Sequence, residues 1–378
     1  MKTFFDVTEV NLTKIKNRFV VAPMTRVSAD LRGVPSREML DYYAAFSAGG
    51  FGAIITEGLY TDSLYAKGYP TQPGIISQPQ VNGWREIVSS VKENNTLFIA
   101  QLMHAGSISQ AIKKTKAPSK VLPLGNKLAA YGGGSGPFPV SEAMTLNDIK
   151  SVIDGYVNSS QNAMDAGFHG VELHAANGYL LDQFLTPYLN QRTDDYEGSV
   201  ENRIRIIHEI IDEIRKVVPG DFIIGIRISE GKVNNLHYRW PGGSQVAREM
   251  LAEIAKMQID YLHVAAEHWG WEAECVYKDG TSLTGLAKEL LNCPVIANGK
   301  LDNLTLSQRL LDSNEADLFA IGKAALANPD FVNKLVENRE PMRLDSNTLF
   351  PNPSLFANEK YETFLQEYEM TLGEKICC

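Results

Sequence analysis

Eight short runs of β-branched and other apolar residues alternate with helical stretches along the 378-residue chain. Glycine, proline or polar residues flank each run, which is typical of strands buried on both faces of a parallel sheet. The predicted strands cover residues 18–24, 52–57, 97–103, 170–174, 222–228, 261–265, 294–297 and 317–321. Eight strand–helix units in one chain predict the α/β class and a closed (β/α)8 barrel of the TIM type.

The segments between these runs have the patterns of helices. Isoleucines at positions 204, 207, 211 and 214 recur at helical spacing. The predicted helices cover residues 36–48, 81–92, 141–166, 200–218, 245–257, 282–291, 304–311 and 324–336. The alternative is an open doubly wound sheet, but that fold usually has a GxGxxG turn after an early strand, and the sequence contains none.

Two segments depart from this alternation, and they set the predicted domain organisation. Residues 105–140 form an insertion in a single barrel domain of residues 1–340. Its GGGSGP cluster at 132–137 follows no predicted strand and lacks GK[ST], so we expect a surface loop rather than a phosphate cradle. Residues 341–378 form a C-terminal extension, in which 354–372 resemble an amphipathic helix that would pack on the barrel or on a partner subunit.

Charge and cysteine content exclude several classes of protein. With 36 Lys and Arg against 45 Asp and Glu, the net charge of −9 argues against a general nucleic-acid-binding protein. No run reaches the ~18 apolar residues of a membrane helix, and Asp6 and Glu9 interrupt the start, where a signal peptide would be apolar. The four cysteines form no CxxC pair, so a cytoplasmic, reducing setting is expected.

Polar residues and glycines follow every predicted strand. In a barrel these positions meet at one rim, where active sites lie. The rim contains no HExxH or other metal-ligand spacing. Its threonine, glutamine, asparagine and arginine side chains offer the mixed donors and acceptors that suit a flat heteroaromatic ligand. The residues after the last two strands suit a phosphate.

Six blocks of the sequence carry a resemblance to a known family. HAANGYLLDQFLTPYLNQRTDDYEGSVENR, residues 174–203, resembles the signature of the Old Yellow Enzyme family of FMN-dependent NAD(P)H oxidoreductases. The other blocks are NRFVVAPMTR (17–26), GAIITEG (52–58), GYPTQPGI (68–75), AQLMHAG (100–106) and IGKAALANPDF (321–331). Without a cysteine cluster, the chain resembles the simple, single-barrel branch of the family.

The resemblance implies roles for residues around a bound FMN. Thr25 would hydrogen-bond the flavin carbonyl beside the reactive nitrogen, and Gln101 would pair with the pyrimidine edge. Arg227 would stabilise the negative charge of the reduced ring. The remaining implied FMN contacts are Pro23, Met24, Gly58 and His174 at the ring, and Asn298, Gly299, Gly322 and Lys323 at the phosphate.

The resemblance also implies an ene-reductase reaction. NADH or NADPH would reduce FMN, which would pass hydride to the β-carbon of an α,β-unsaturated carbonyl compound. His174 and Asn177 would bind the carbonyl oxygen, and Tyr179 would protonate the α-carbon. The alternatives are FMN-dependent reduction of nitro compounds or nitrate esters, a redox-neutral isomerisation, a flavin-binding barrel without turnover, and a metal-dependent hydrolase using His104 and His174.

Further candidates are less constrained. The candidate contacts for substrate or nicotinamide are Tyr65, Tyr69, Met103, His104, His268 and Trp269, and packing in the core or on the surface is the alternative. Lys323 stands where arginine is common in the family, which would remove a bidentate phosphate contact. The expected partners are an activated alkene and a nicotinamide cofactor, with no nucleic acid and no membrane, and the C-terminal extension could mediate a homodimer.

Overall fold

The computed structural model describes residues 2–266, 268–344 and 353–355. Its centre is a closed ring of eight parallel strands, because each strand pairs with the next and the last pairs with the first. These strands are β1 (Phe19–Val21), β2 (Ala53–Ile55), β3 (Leu97–Met103), β4 (Gly170–Asn177), β5 (Ile223–Lys232), β6 (Tyr261–Val264), β7 (Val295–Asn298) and β8 (Leu318–Ile321). The predicted (β/α)8 barrel is confirmed.

Helices surround the ring. They are α1 (Arg37–Ala48), α2 (Gln78–Lys92), α3 (Leu146–Ala166), α4 (Leu180–Leu185), α5 (Val200–Val217), α6 (Ser244–Ile254), α7 (Trp271–Glu274), α8 (Leu283–Leu290), α9 (Leu304–Asp312), α10 (Lys323–Ala327) and α11 (Phe331–Val336). The isoleucines spaced along α5 are buried against the barrel, as their periodicity predicted. None of the helices in the described residues is long and apolar enough to cross a bilayer.

Two predicted helices differ from the structure by more than three residues at one end or by a break. Helix α3 begins at Leu146 and not at residue 141, because Glu142–Ala143 pairs as a strand with Lys116–Ala117 and Thr145 caps the helix. The predicted helix 324–336 is divided into α10 and α11. The division falls at Asn328, which precedes a proline and is therefore disfavoured from helical backbone angles.

Alternation along the strands produces two apolar layers. On β1, Val20 belongs to the cluster inside the barrel, whereas Phe19 and Val21 belong to the cluster between strands and helices. A hairpin of Thr8–Val10 and Thr13–Ile15 adds two side chains to the inner cluster, where the strands begin. The barrel is therefore packed at its N-terminal end.

Strands β4 and β5 run further than predicted. Their pairing continues past a register shift between Ile228 and Lys232, so that Lys232 lies opposite Asn177. The sequence pattern ended both strands earlier, since His174 interrupts the first apolar run and Ser229 follows the second. The extension places the chain after β5 directly beside the end of β4.

The two segments outside the alternation contact the barrel. The insertion has two 3-10 turns, Gly106–Ile108 and Ala129–Tyr131, and the short strand Lys116–Ala117, and is otherwise irregular. Leu355 is buried, and its backbone N–H donates to Ser28 Oγ at 2.8 Å. Most of the predicted C-terminal extension, including most of its predicted helix, lies outside the described residues.

Candidate active site

A cavity of about 450 Å³ opens where the C-terminal ends of the barrel strands meet. Residues at or after all eight strands contribute to its wall, and the volume lies in the range of small-molecule sites. The residues predicted to bind FMN all line it: Pro23, Met24, Thr25, Gly58, Gln101, His174, Arg227, Asn298, Gly299, Gly322 and Lys323. Residues 300 positions apart in the sequence thus share one cavity.

His174 and Asn177 lie in the wall at the end of β4, and both are almost fully buried. His174 Nδ1 and both polar side-chain atoms of Asn177 have no hydrogen-bond partner among the described residues. A buried polar atom without a partner costs about 1–3 kcal/mol, so such atoms in a cavity wall indicate that a ligand completes them. Burial, with the charges of Arg227 and His263 beside it, lowers the pKa of His174 well below its usual value. The imidazole is therefore neutral at pH 7.

The turn after β4 has an unusual backbone. Asn177 has a φ of 63° and Gly178 a φ of 86°, both in the left-handed region. Asparagine tolerates this region better than most residues, and glycine tolerates it freely. Ser229 Oγ on β5 accepts the Asn177 N–H at 2.8 Å. The sharp turn brings the Asn177 side chain and the following Tyr179 to the same cavity as His174.

Tyr179 faces His174 across a short distance. Their ring centroids are 4.9 Å apart. The Tyr179 hydroxyl oxygen lies 2.7 Å from that of Tyr69, which comes from the segment between β2 and α2. His174, Asn177 and Tyr179 therefore form one group, with two atoms able to bind an oxygen and one hydroxyl able to supply a proton.

Gln101 is held by a buried carboxylate inside the barrel. Its Nε2 donates to Glu172 Oε1 at 2.8 Å, and Glu172 also contacts His263 Nδ1 at 2.9 Å and accepts from Tyr261 Oη at 3.1 Å. Burial alone would raise the pKa of Glu172, but His263 and Arg227 keep that pKa below its usual value. The carboxylate thus fixes the Gln101 amide in the cavity wall.

A buried cation, Arg227, lies in the cavity wall near Gln101 and His174. Arg227 on β5 is 3 % exposed, and its Nη2 donates to Asn298 Oδ1 at 3.3 Å. Asn298 in turn donates from Nδ2 to the Ala320 carbonyl at 2.9 Å. A guanidinium fixed by neighbouring strands needs no reorganisation to stabilise negative charge that develops beside it.

The far end of the cavity suits an anion. Lys323 and Lys300 both line it, beside Gly299 and Gly322. Gly299 has a φ of 125°, and a Cβ there would lie 2.8 Å from the Trp271 backbone nitrogen, so only glycine fits. The close backbone and two ammonium groups give the chemistry that a phosphate monoester requires.

These features together fit FMN. The cavity has a cationic end for the phosphate, and a ring end with a fixed amide, a fixed guanidinium and buried polar atoms without partners. The residues that would hold the ring are Thr25, Gln101 and Arg227, and those at the phosphate are Asn298, Gly299, Gly322 and Lys323.

The six candidate substrate contacts divide into two groups. Tyr69, Met103 and His268 line the cavity. Three others are not among the residues that line the cavity: the ring centre of Tyr65 lies 5.0 Å from Lys116 Nζ, and Trp269 packs against His237 and His268.

The third is His104, which is buried outside the cavity wall. Its Nδ1 accepts the Gly106 N–H at 3.0 Å, and its Nε2 lies 3.3 Å from Asp62. It therefore anchors the start of the insertion and does not approach a shared ion with His174. Among the described residues, no group of three His, Cys, Asp or Glu side chains is placed to hold a metal ion.

The structure also adds residues that the sequence analysis missed. Leu128 and Tyr131 from the insertion, Val233 after β5, and Lys300 after β7 line the cavity. Lys300 follows a recognised strand end and could have been found there. The insertion has no periodicity, so nothing in the sequence indicated that Tyr131 turns towards the rim.

Comparisons with known proteins agree with this site. The sequence profile of the NADH:flavin oxidoreductase / NADH oxidase family matches residues 3–341. A probable flavin mononucleotide-dependent alkene reductase of Leishmania infantum is 32 % identical over 357 residues, covering 89 % of this chain and 91 % of the relative.

Two solved structures share the fold over nearly the whole chain. The Old Yellow Enzyme homologue from Zymomonas mobilis has a TM-score of 0.83 and 28 % identity, covering 93 % of this chain and 97 % of the other. Morphinone reductase in complex with tetrahydroNAD has a TM-score of 0.81 and 28 % identity, covering 92 % and 94 %. The chain belongs to the NADH:flavin oxidoreductase / NADH oxidase family, and its predicted membership of the Old Yellow Enzyme group, as an FMN-dependent NAD(P)H oxidoreductase, is confirmed.

Proposed function

We propose that this enzyme reduces the C=C bond of activated alkenes, such as enones, with NADH or NADPH as the electron donor. The observation that carries the proposal is the pair His174 and Asn177, which line the cavity beside Tyr179 and have buried polar atoms without a partner among the described residues. A carbonyl oxygen placed between an imidazole N–H and an amide N–H would satisfy both groups. The names of the Leishmania alkene reductase and of morphinone reductase support the same class of reaction.

Each side chain has a separate role in this proposal. His174 and Asn177 donate hydrogen bonds to the carbonyl oxygen, which draws electron density away from the conjugated C=C bond. Because His174 is neutral, it acts as a hydrogen-bond donor and not as an acid. Tyr179 donates its hydroxyl proton to the α-carbon as a general acid. FMN, when bound, supplies hydride transfer from the nicotinamide to the β-carbon.

The overall reaction balances in electrons and protons. One NAD(P)H gives a hydride to the β-carbon, and one proton reaches the α-carbon through Tyr179. The products are the saturated carbonyl compound and NAD(P)+. A single proton donor and a single oxygen-binding pair are sufficient for this reaction, and the residues that we assign to both roles line the cavity.

Anaerobic spectroscopy of the purified protein tests the proposal. NADPH or NADH should bleach the absorbance of the bound flavin, and 2-cyclohexenone should restore it with formation of cyclohexanone. A flavin that neither nicotinamide reduces would favour a barrel without turnover. A reduced flavin that a nitroaromatic compound reoxidises but 2-cyclohexenone does not would favour the nitro-reductase alternative. Either result would refute the proposal.

A further inference from the structure

A fully buried ion pair lies behind the turn that carries Asn177 and Tyr179. Lys232 Nζ is 2.8 Å from both carboxylate oxygens of Asp182, and neither side chain is exposed. Transfer of two charges from water into a protein interior costs several kcal/mol per ion, and replacing such a pair with apolar residues is often neutral or stabilising. A buried pair in this position therefore calls for a role other than stability.

The ion pair contacts the turn through side chain and backbone. Asp182 Oδ2 accepts the Gly178 N–H at 2.6 Å, while it is held by Lys232. Lys232 lies opposite Asn177 in the β4–β5 pairing, and the next residue, Val233, donates its N–H to the Asn177 carbonyl at 3.1 Å. The peptide group that joins Asn177 to Gly178 is thus held on both sides, its N–H by Asp182 and its carbonyl by the residue after Lys232.

Polar and aromatic side chains from neighbouring segments surround the ion pair. Lys232 Nζ lies 4.3 Å from the centre of the Tyr238 ring, and Thr186 Oγ1 donates to Asp182 Oδ1 at 3.4 Å. The negative charge of Glu230 acts to raise the pKa of Lys232. Burial raises the pKa of Tyr188, and the charge of Asp182 acts in the same direction. Burial raises the pKa of Asp182 and lowers that of Lys232, so each charge depends on the other.

The turn needs such an anchor because its backbone is strained. Two consecutive residues, Asn177 and Gly178, have left-handed φ values of 63° and 86°. For a residue with a Cβ this region costs about 1 kcal/mol or more. Without contacts that fix the Asn177–Gly178 peptide group, the turn would relax and move the Asn177 amide and the Tyr179 hydroxyl.

We propose that Lys232 and Asp182 form a positioning pair, which sets the places of the Asn177 amide and the Tyr179 hydroxyl relative to a carbonyl substrate. Neither residue lines the cavity, so the pair acts through the turn and not by contact with substrate. This inference rests on the proposed alkene reduction for its kinetic consequence, but its structural consequence does not depend on it.

A second ion pair provides a matched control. Lys288 Nζ is 2.8 Å from Asp317 Oδ2, and that oxygen accepts a backbone N–H, from Val295, at 2.8 Å. Val295 is the first residue of β7, so this pair lies at the opposite end of the barrel from the cavity. Lys288→Met and Lys232→Met therefore make the same change to two ion pairs that each fix a backbone N–H, and only the second pair contacts the turn. The Lys288 and Asp317 side chains are 17 % and 15 % exposed, whereas those of Lys232 and Asp182 are fully buried.

The experiment compares both FMN-loaded variants with the wild type. Hydrogen exchange, followed by mass spectrometry on peptides covering residues 174–185, should be about tenfold faster in Lys232→Met and unchanged in Lys288→Met. The kcat/KM for 2-cyclohexenone should fall at least about tenfold in Lys232→Met alone, since small displacements of catalytic groups have effects of that size. The Kd of the apoprotein for FMN, from flavin fluorescence, should stay within about twofold in both, because neither pair lines the cavity. Equal exchange and equal kcat/KM in the two variants would overturn the proposal.

A double variant covers the case in which Lys232→Met leaves too little folded protein. Asp182→Leu with Lys232→Met removes both charges and the acceptor of the Gly178 N–H, and an apolar pair of this kind is usually tolerated. Fast exchange at residues 174–185 would support the inference, and wild-type exchange and kcat/KM would refute it. A wild-type enzyme that cannot reduce 2-cyclohexenone would refute the proposed function, while the exchange data would still decide the role of the pair.

Discussion

The hydroxyl oxygens of Tyr69 and Tyr179 lie 2.7 Å apart in the wall of the cavity. Burial raises the pKa of Tyr69 far above its usual value, so this residue stays protonated at all relevant pH values. When Tyr179 gives its proton away, the Tyr69 hydroxyl can donate to the phenolate that remains. A charge-assisted hydrogen bond of this kind is stronger than a neutral one, so the pair suits a proton donor.

Replacement of Tyr179, the proposed proton donor, should slow reoxidation of the flavin but not its reduction. We expect Tyr179→Phe to slow reoxidation of the reduced enzyme by 2-cyclohexenone about 100-fold to 10,000-fold, the range of a lost general acid. Reduction by NADPH should change much less, since it needs no proton from this residue. Stopped-flow absorbance of the flavin measures both steps. Tyr196→Phe, which removes a hydroxyl bound to Glu209 outside the cavity wall, serves as the control.

Tyr69 should affect the rate of reoxidation only when Tyr179 is present. Tyr69→Phe is expected to slow reoxidation about tenfold or more, because a hydrogen bond to a charged group contributes about 1.5–3 kcal/mol. In the Tyr179→Phe background the same change should have little further effect, since no phenolate forms there. Multiplicative losses in the double variant would show that Tyr69 acts independently, for example by contact with the substrate.

The phosphate end of the cavity gives a prediction about cofactor binding. Lys323→Met should raise the Kd of the apoprotein for FMN about tenfold or more, since a charged hydrogen bond to phosphate is lost. Riboflavin, which lacks the phosphate, should bind with unchanged Kd. Quenching of flavin fluorescence measures both ligands. An equal loss for FMN and riboflavin would place Lys323 away from the phosphate.

The partly buried His169 makes the free energy of unfolding depend on pH. Burial, with the charge of Lys92, lowers the pKa of His169 to about 4, and its Nδ1 accepts the Phe98 N–H at 3.0 Å. The unfolded chain then binds a proton below about pH 6.5 that the folded chain rejects. This residue's contribution is present above that pH and is lost as the pH falls towards 4, by up to about 3 kcal/mol.

Urea unfolding at several pH values measures this effect. His169→Asn keeps an acceptor for the Phe98 N–H but cannot titrate, so its unfolding free energy should fall less between pH 7 and pH 4.5 than that of the wild type. His208→Asn, at a half-exposed position on α5, should follow the wild type. Identical pH profiles for the His169 variant and the wild type would contradict the assignment.

The barrel and most of its rim could be predicted because they depend on local patterns. Short apolar runs mark strands, parallel strands end at one rim, and residues such as Gln101 and Arg227 then meet without any knowledge of long-range contacts. Glu172 also left a signal, since it is a charged residue inside the apolar run that forms β4. Its contact with Gln101 required the three-dimensional arrangement.

Features that depend on tertiary contacts were not predictable. The positions of Leu128 and Tyr131 follow from the path of an aperiodic insertion, and the start of α3 follows from a strand pair within it. The Lys232–Asp182 pair needs the register shift in β5, which leaves no local trace. Tyr65 and His104 are residue types common in binding sites, but Tyr65 packs against Lys116 and His104 pairs with Asp62.

The central claim is that His174 and Asn177 orient a carbonyl compound so that hydride reaches its β-carbon and the Tyr179 proton its α-carbon. Isotope labelling of the product tests this most directly. Turnover of 2-methylcyclohexenone with a nicotinamide deuterated at its transferable position, in ordinary water, should place deuterium at the β-carbon. Turnover with unlabelled nicotinamide in D2O should place it at the α-carbon, on the opposite face. Deuterium from the nicotinamide at the α-carbon, or saturated product labelled at neither carbon, would contradict the account.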